Sequence, residues 1–179
     1  MNKLLLIITT TVLLSCFAKL THAQTTTVNT AASAVIITPI AVTQVTPMHF
    51  GVISVDENYS GTCIITTEGM RIATDGVSLS SLAPSFSLAT YKVSGEPMYT
   101  YSITLPSEIT IRHSDNLSSM YIDNLLAKSF SGTESHRATG TLNSETGTES
   151  FSVGGTLHIV SGQIPGQYSG DFDITVVYN

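Results

Sequence analysis

The chain has 179 residues, 42% of them hydrophobic, which is enough for one domain with a sizeable core. Only 11% of the residues are charged, and the formal net charge is −6. An acidic chain of this kind has no basic patch with which to bind nucleic acid or an anionic membrane. The composition therefore argues against both partners and leaves serine and threonine to hydrate much of the surface.

The N-terminus has the pattern of a secretory signal peptide. Lys3 precedes an apolar run over residues 4–14, and Thr21-His22-Ala23 supplies the small residues that a signal peptidase reads. The run is too short for a transmembrane helix. We therefore predict a signal peptide over 1–23, cleaved between Ala23 and Gln24. The product would be exported to the periplasm, the cell surface or the medium, with a net charge of −8 and no transmembrane helix.

The two cysteines have different expected fates. Residues 13–16 look somewhat like a lipoprotein box, which would leave a lipidated Cys16, but Leu14 fits that box poorly and plain secretion is favoured. After cleavage only Cys63 remains, so no intramolecular disulfide can form. Its β-branched neighbours, Thr62 and Ile64, favour a small buried hydrophobe over a link between chains.

The mature chain begins with a segment that cannot fold alone. Residues 24–34 are small and polar, so they are either a flexible N-terminal arm or a strand that becomes ordered on a partner. Residues 35–45 form a β-branched run, and Pro39 within it indicates an edge strand or a bulge. Residues 48–53 are predicted as a further short strand.

The rest of the chain alternates strand patterns with turn signals, as in an all-β sandwich or barrel of one domain over 35–179. Glu68-Gly69 and Asp75-Gly76 read as hairpin turns. Residues 120–130 fit either a helical turn or a strand, and we favour the strand. Loops are expected within 131–149. The other predicted strands are 61–67, 70–74, 77–82, 86–93, 98–105, 108–112, 137–142, 151–160 and 167–178.

The last fourteen residues carry the clearest pattern. Four apolar side chains alternate with residues expected to be exposed: Phe172, Ile174, Val176 and Tyr178. Buried on one face of a strand, each would contribute roughly 1.5–3 kcal/mol. The C-terminus is therefore predicted to end inside a sheet, whose edge must be protected in some way.

No constellation in the sequence predicts catalysis, a cofactor or a metal, so we expect a protein that is not an enzyme. The histidines of the mature chain are scattered singly, without the spacing of a metal site. Asp171 and Asp173 share one face of the last strand, but they offer too few oxygens for Ca²⁺. A solvated face is the expectation for this pair.

Several glycine motifs resemble a known family. The motifs occur in a consistent order: Phe50-Gly51-x-Ile53, Gly61-Thr62, Val153-Gly154-Gly155-Thr156-Leu157, Gly166-x-Tyr168-Ser169-Gly170 and Val176-Val177-Tyr178-Asn179. This set resembles the bacterial domain of unknown function 4402 (DUF4402), a family of secreted β-sandwich proteins. The resemblance covers the chain from about Val35 to its end.

The C-terminus also resembles pilin subunits of the chaperone–usher class. Tyr178 is penultimate, and Gly166 is the fourteenth residue from the end. The resemblance implies an immunoglobulin-like antiparallel sandwich that lacks one strand. It also implies partners that bind by β-augmentation. A periplasmic chaperone would lend a strand first, and the N-terminal arm of another copy of the chain or of a related subunit would then replace it. By the same resemblance, strand exchange would involve Gly166, Phe172, Ile174, Val176 and Tyr178, with residues 24–34 as the donor arm.

Two hypotheses stay open at this point. One is a pilin-like structural subunit of a pilus or fimbrium. The other is a self-complete secreted sandwich of unknown role, such as a glycan or matrix binding module, in which Ile36, Ile40 and Val42 belong to the domain's own first strand. The two differ in whether the chain satisfies its own sheet edges.

Overall fold

The computed structural model describes residues 23–179 of the chain. The predicted signal peptide before Ala23 and the alternative lipoprotein box at Cys16 lie outside the described residues. Within them the chain forms strands and no helix. The thirteen strands are β1 Ala41–Thr46, β2 Ile53–Val55, β3 Gly61–Ile65, β4 Arg71–Asp75, β5 Val77–Leu79, β6 Ala89–Ser94, β7 Thr100–Thr104, β8 Ile109–His113, β9 Ser119–Ser129, β10 Thr139–Thr141, β11 Thr148–Ile159, β12 Tyr168–Ser169 and β13 Thr175–Tyr178.

The largest sheet is built around β11. Its first half, residues 148–153, pairs with β6, and its second half, residues 155–159, pairs with β3. The other side of β11 pairs with β9 over residues 151–158. The sheet runs β1-β6-β11-β9-β8-β12, and β4 extends the β3 branch. Because β11 is long enough to hold two partners on one side, the sheet forks at its centre.

A smaller sheet shares its core with the large one. Its order is β10-β7-β13, and all its pairs are antiparallel. Tyr101 and Ile103 of β7 are completely buried, as are Val93 of β6 and Val153 of β11, and all four belong to one hydrophobic cluster. The expectation of an all-β fold is confirmed, and its sheets are consistent with a sandwich.

A two-stranded ribbon, β2-β5, is fixed to the large sheet by one arginine. Arg71 of β4 donates through Nη1 to the Phe50 carbonyl at 2.8 Å and through Nη2 to the Ser80 carbonyl at 2.7 Å. Its guanidinium also lies 5.0 Å from the centre of the Phe86 ring. Phe50 precedes β2 and Ser80 follows β5, and Ile53 lies opposite Leu79, so the cation holds both strands at the same end of the ribbon.

Several predicted elements differ from the structure. Asp75-Gly76 is a turn but not a hairpin, because β4 pairs with β3 whereas β5 pairs with β2. The predicted strand over 48–53 reduces to one bridge, His49 with Ser87, followed by β2. The first strand begins only after Pro39, at Ala41. Residues 120–130 were correctly predicted as a strand, which is β9.

The C-terminal prediction is correct in its alternation and wrong in its continuity. Phe172, Ile174, Val176 and Tyr178 are half-buried, and the residues between them are exposed. The chain is not one strand over 167–178, however. Residues 170–174 lie between β12 and β13 without belonging to either. The reason is a change of sheet, because β12 pairs with β8 and β13 pairs with β7.

The chain divides into two units, and every strand lies in the second, Ile36–Asn179. In the first unit, the described residues 23–35 have no regular structure, and their side chains are exposed. Val28 and Val35 are among them, at 81% and 87% exposure. This is the local behaviour expected of small, polar residues with nothing to bury.

Candidate strand-docking groove

Strands β1 and β13 lie on the same side of the domain, and each has one edge without a strand partner. Within residues 23–179, β1 pairs with β6 and with no other strand, and β13 pairs only with β7. Unpaired strand edges are templates for another strand, because their N–H and C=O groups have no ladder partner. These two edges therefore define a candidate site for strand docking.

The inner face of β1 is not covered. Val42 lies opposite Val93 in the ladder, and Gln44 lies opposite Tyr91. Residues directly opposite one another share a face of the sheet. Val93 is completely buried and Tyr91 is 7% exposed, yet Val42 is 39% exposed and Gln44 is also exposed. The sheet thus continues one strand further than the layer that covers it.

A groove of about 350 Å³ lies along this uncovered face, and we call it the docking groove. One wall belongs to β1 and the residues that follow it, and the other to the segment that leads into β13. Its lining residues are Val42, Gln44, Pro47, Met48, Tyr91, Gly170, Asp171, Phe172, Asp173 and Ile174. The two aspartates are exposed, so one side of the groove carries negative charge and suits an uncharged or basic occupant.

The open edge of β13 presents specific backbone groups. The Asn179 N–H donates to the Thr100 carbonyl of the segment that begins β7, at 3.1 Å. Backbone direction alternates along an antiparallel strand, so Val177 and Thr175 also face β7. Val176 and Tyr178 point their N–H and C=O groups to the other side, where the described residues provide no strand partner. The side chains of Val176 and Tyr178 pack against the core, so the backbone groups of this edge are left to pair with a further strand.

The walls of the docking groove are joined at one end by three residues, Tyr178, Thr38 and Glu96, which we call the latch. The Tyr178 hydroxyl donates to the Thr38 carbonyl at 2.8 Å and accepts from the Glu96 N–H at 2.6 Å. The Glu96 carboxylate accepts from the Thr38 N–H at 2.8 Å. Three hydrogen bonds thus form a closed cycle between the segment before β1, the turn after β6 and the end of β13.

The latch explains a glycine and a pKa shift. A Cβ at Gly95 would overlap the Tyr178 hydroxyl oxygen, so the hydroxyl reaches the latch only over a glycine. The Thr38 N–H stabilises the ionised Glu96 carboxylate and lowers its pKa below the ordinary value of 4.5. The Tyr178 ring also lies edge-on to Tyr99, with 5.5 Å between ring centres.

The structure distributes the predicted site residues over different places. Phe172 and Ile174 line the docking groove, whereas Val176 and Tyr178 lie on the strand that borders it. Gly166 lies elsewhere, in the loop before β12, where an added Cβ would overlap His113 Nε2. Gly166 therefore allows a close approach to His113. Ala23 and Gln24 are exposed residues without regular structure.

Sequence reasoning missed the wall opposite the C-terminus. Val42 and Gln44 are part of an ordinary β-branched run, and their exposure depends on which strand lies across from them. Glu96 and Thr38 belong to a turn and to a coil segment, with no motif that links them to Tyr178. A signal was nevertheless present in Pro39, which indicated an edge strand or a bulge.

The polar clusters elsewhere on the sheets are internally satisfied. His158 Nε2 lies 2.7 Å from the Asp123 carboxylate, and its ring stacks on Tyr121 with 4.3 Å between centres. His113 Nδ1 lies 2.9 Å from the Asp115 carboxylate. Among residues 23–179, no three His, Cys, Asp or Glu side chains are placed to hold a metal ion. The described residues also contain no helix long and apolar enough to cross a membrane.

Comparison with known proteins gives one result. The family model of a domain of unknown function, DUF4402, matches residues 40–178, from just before β1 to the end of β13. No curated protein and no solved structure matches the chain. The family match covers both walls of the docking groove and most of the chain. The chain therefore belongs to the DUF4402 family.

Proposed function

We propose that this chain is a non-enzymatic, exported structural subunit that assembles with other chains by β-strand complementation. In this proposal an extended segment of another chain lies in the docking groove, pairs with the open edge of β13 and covers Val42. The observation that carries the proposal is the uncovered inner face of β1 beside that unpaired edge. Export is supported by the N-terminal sequence pattern alone.

The chemistry of the docking groove favours a donor with small side chains. About 350 Å³ spread along a groove that includes Gln44 and two aspartates leaves little room for a row of large apolar residues. Residues 24–34 contain threonine, alanine, serine, asparagine, one glutamine and one valine. The resemblance to pilins assigns the donor role to this arm, in a copy of the chain or a related subunit. It also assigns a periplasmic chaperone as a transient occupant.

A peptide that copies residues 24–34 tests the proposal. The full chain is expressed for export into a bacterial periplasm, purified, and examined by size-exclusion chromatography and thermal melting. We expect oligomers or aggregates without the peptide. A peptide at a hundredfold excess over its Kd would stabilise the fold by about 2.7 kcal/mol. For a domain of this size that corresponds to a rise in Tm of about 5–10 °C.

Two substitutions in β1 provide a matched control. Val42→Lys places a charged chain in the docking groove, whereas Val45→Lys changes a residue that is 64% exposed and does not line it. We expect the first to abolish the peptide effect and the second to preserve it. A sharp melt from a monomer that the peptide leaves unchanged would count against strand complementation.

One observation favours a second candidate, a self-complete exported module that binds a glycan or matrix ligand. The latch already closes one end of the docking groove within a single chain, and the core beneath it is buried. A chain complete in this way would remain monomeric in the same experiment and would bind a ligand elsewhere. The monomer outcome above therefore separates the two candidates.

A further inference from the structure

The docking groove is open at one end, and its two walls meet at the other. On one side, the order from the open end is Met48, Gln44, Val42 and then the segment containing Thr38. On the other side it is Gly170, Phe172, Ile174 and then Tyr178. The walls are separate where they line the groove, and they are bonded directly to each other at Tyr178 and Thr38.

We propose that the latch is an end-stop that fixes the register of a docked strand. This inference rests on the proposed function, since it assumes that a strand enters the docking groove. A strand aligned with the edge of β13 would meet the Thr38 backbone at the latch and could slide no further. Opening the latch would let the strand advance in steps of two residues, which keep the same side chains facing inward.

An end-stop is useful because the side chains of the donor segment are too similar to specify a register. Register is set by distinctive inward-facing side chains, and it is weakly specified where they are all small. In residues 24–34 the alternate set Val28, Thr30, Ala32 and Ala34 differs little from one member to the next. Two residues of slip correspond to about 6.8 Å along the strand, a distance that is easily measured.

The test locates one end of the bound peptide. The peptide copying residues 24–34 carries a nitroxide spin label at the terminus that would lie nearest the latch. Amide signals of the ¹⁵N-labelled full chain report which residues the label approaches. For the natural sequence we expect broadening confined to one position along the docking groove. The variant Tyr178→Phe with Glu96→Ala removes all the latch bonds, and we expect broadening to move or spread by about 7 Å toward Thr38.

A matched variant and a milder one accompany this test. Tyr59→Phe with Glu108→Ala removes the same groups from exposed positions outside the latch, and it should leave the broadening pattern unchanged. If the latch variant unfolds, Tyr178→Phe alone removes two of the three hydrogen bonds and is read in the same way. Each variant is first compared with the natural chain by thermal melting.

The outcomes separate the end-stop from the proposed function. If the peptide binds the natural chain and the latch variants in one identical register, the end-stop is refuted while strand docking stands. If the peptide does not bind the natural chain at all, the proposed function fails, and the end-stop fails with it. A shift or spread in the latch variants alone supports both.

Discussion

The Tyr178 hydroxyl donates a hydrogen bond of 2.8 Å to the Thr38 carbonyl, across 140 residues of sequence. The bond joins the penultimate residue of the chain to the segment that leads into its first strand. Beyond this bond, toward Gly170 and Met48, the same two walls are separate and the inner face of β1 is exposed. The domain is therefore closed at one end of this side and open along the rest.

The first prediction concerns Gly95, over which the Tyr178 hydroxyl passes. Gly95→Ala places a methyl group against the hydroxyl oxygen, and overpacking of this kind costs about 1–3 kcal/mol. In a Tyr178→Phe background the closest atom is gone, so the same substitution should cost less. Urea unfolding of the four proteins gives the coupling energy. An equal cost in both backgrounds would show that Gly95 does not serve the latch.

The second prediction concerns the pH dependence of the latch. The Thr38 N–H bond lowers the pKa of Glu96 in the folded state below 4.5, so the unfolded chain binds the proton more readily. The stabilisation is complete above the unfolded pKa and is lost as the pH falls through the folded pKa. An NMR titration of the Thr38 amide from pH 7 to pH 2 should therefore show its midpoint below 4.5.

Replacement of the carboxylate provides the control for this titration. In Glu96→Gln the amide shift of Thr38 should lose that transition, because the neutral side chain does not titrate. A midpoint at or above 4.5 in the natural chain would contradict the hydrogen bond between Thr38 and the ionised carboxylate. Salt at 0.5 M should change the midpoint little if the hydrogen bond, and not a distant charge, causes the shift.

Much of the fold was predictable because it depends on local periodicity. The alternation from Phe172 to Tyr178 requires only that one side of the chain be covered, and it survives even where residues 170–174 leave the ladder. Turn chemistry at Asp75-Gly76 likewise predicted a change of direction correctly. It could not predict that the next strand joins a different sheet, because a turn does not specify the partner of the strand that follows it.

Only one of the two walls of the candidate site was predictable from the sequence. The C-terminal wall has an alternating pattern of its own, but the β1 wall is defined by what does not cover it. Val42 and Val93 have the same chemistry and lie opposite each other, yet one is exposed and the other is buried. The exposure of these two valines differs because the opposite layer of the sandwich covers β6 and does not reach β1. The bond between Tyr178 and Thr38 likewise depends on contacts between residues that are distant in the sequence.

The third prediction concerns the anchor of the β2-β5 ribbon. Arg71→Lys keeps the charge but cannot hold the Phe50 and Ser80 carbonyls together, because an ammonium lacks the planar fork of a guanidinium. Loss of one charged hydrogen bond, worth about 1.5–3 kcal/mol, should lower the urea midpoint accordingly. Arg112→Lys, at an exposed position on β8, should leave the midpoint unchanged. Equal urea midpoints for Arg71→Lys and Arg112→Lys would show that Arg71 does not anchor the ribbon.

The last prediction concerns Cys63, which is fully buried in the core on β3. Burial raises the pKa of its thiol to about 11, so at pH 8 only about one molecule in a thousand would carry the reactive thiolate. With Cys16 replaced by serine, we expect no labelling by iodoacetamide in the folded protein and complete labelling in guanidinium, both read by mass spectrometry. Ser161→Cys, at an exposed site, should label under both conditions. Stoichiometric labelling of folded Cys63 would mean that β3 opens to solvent.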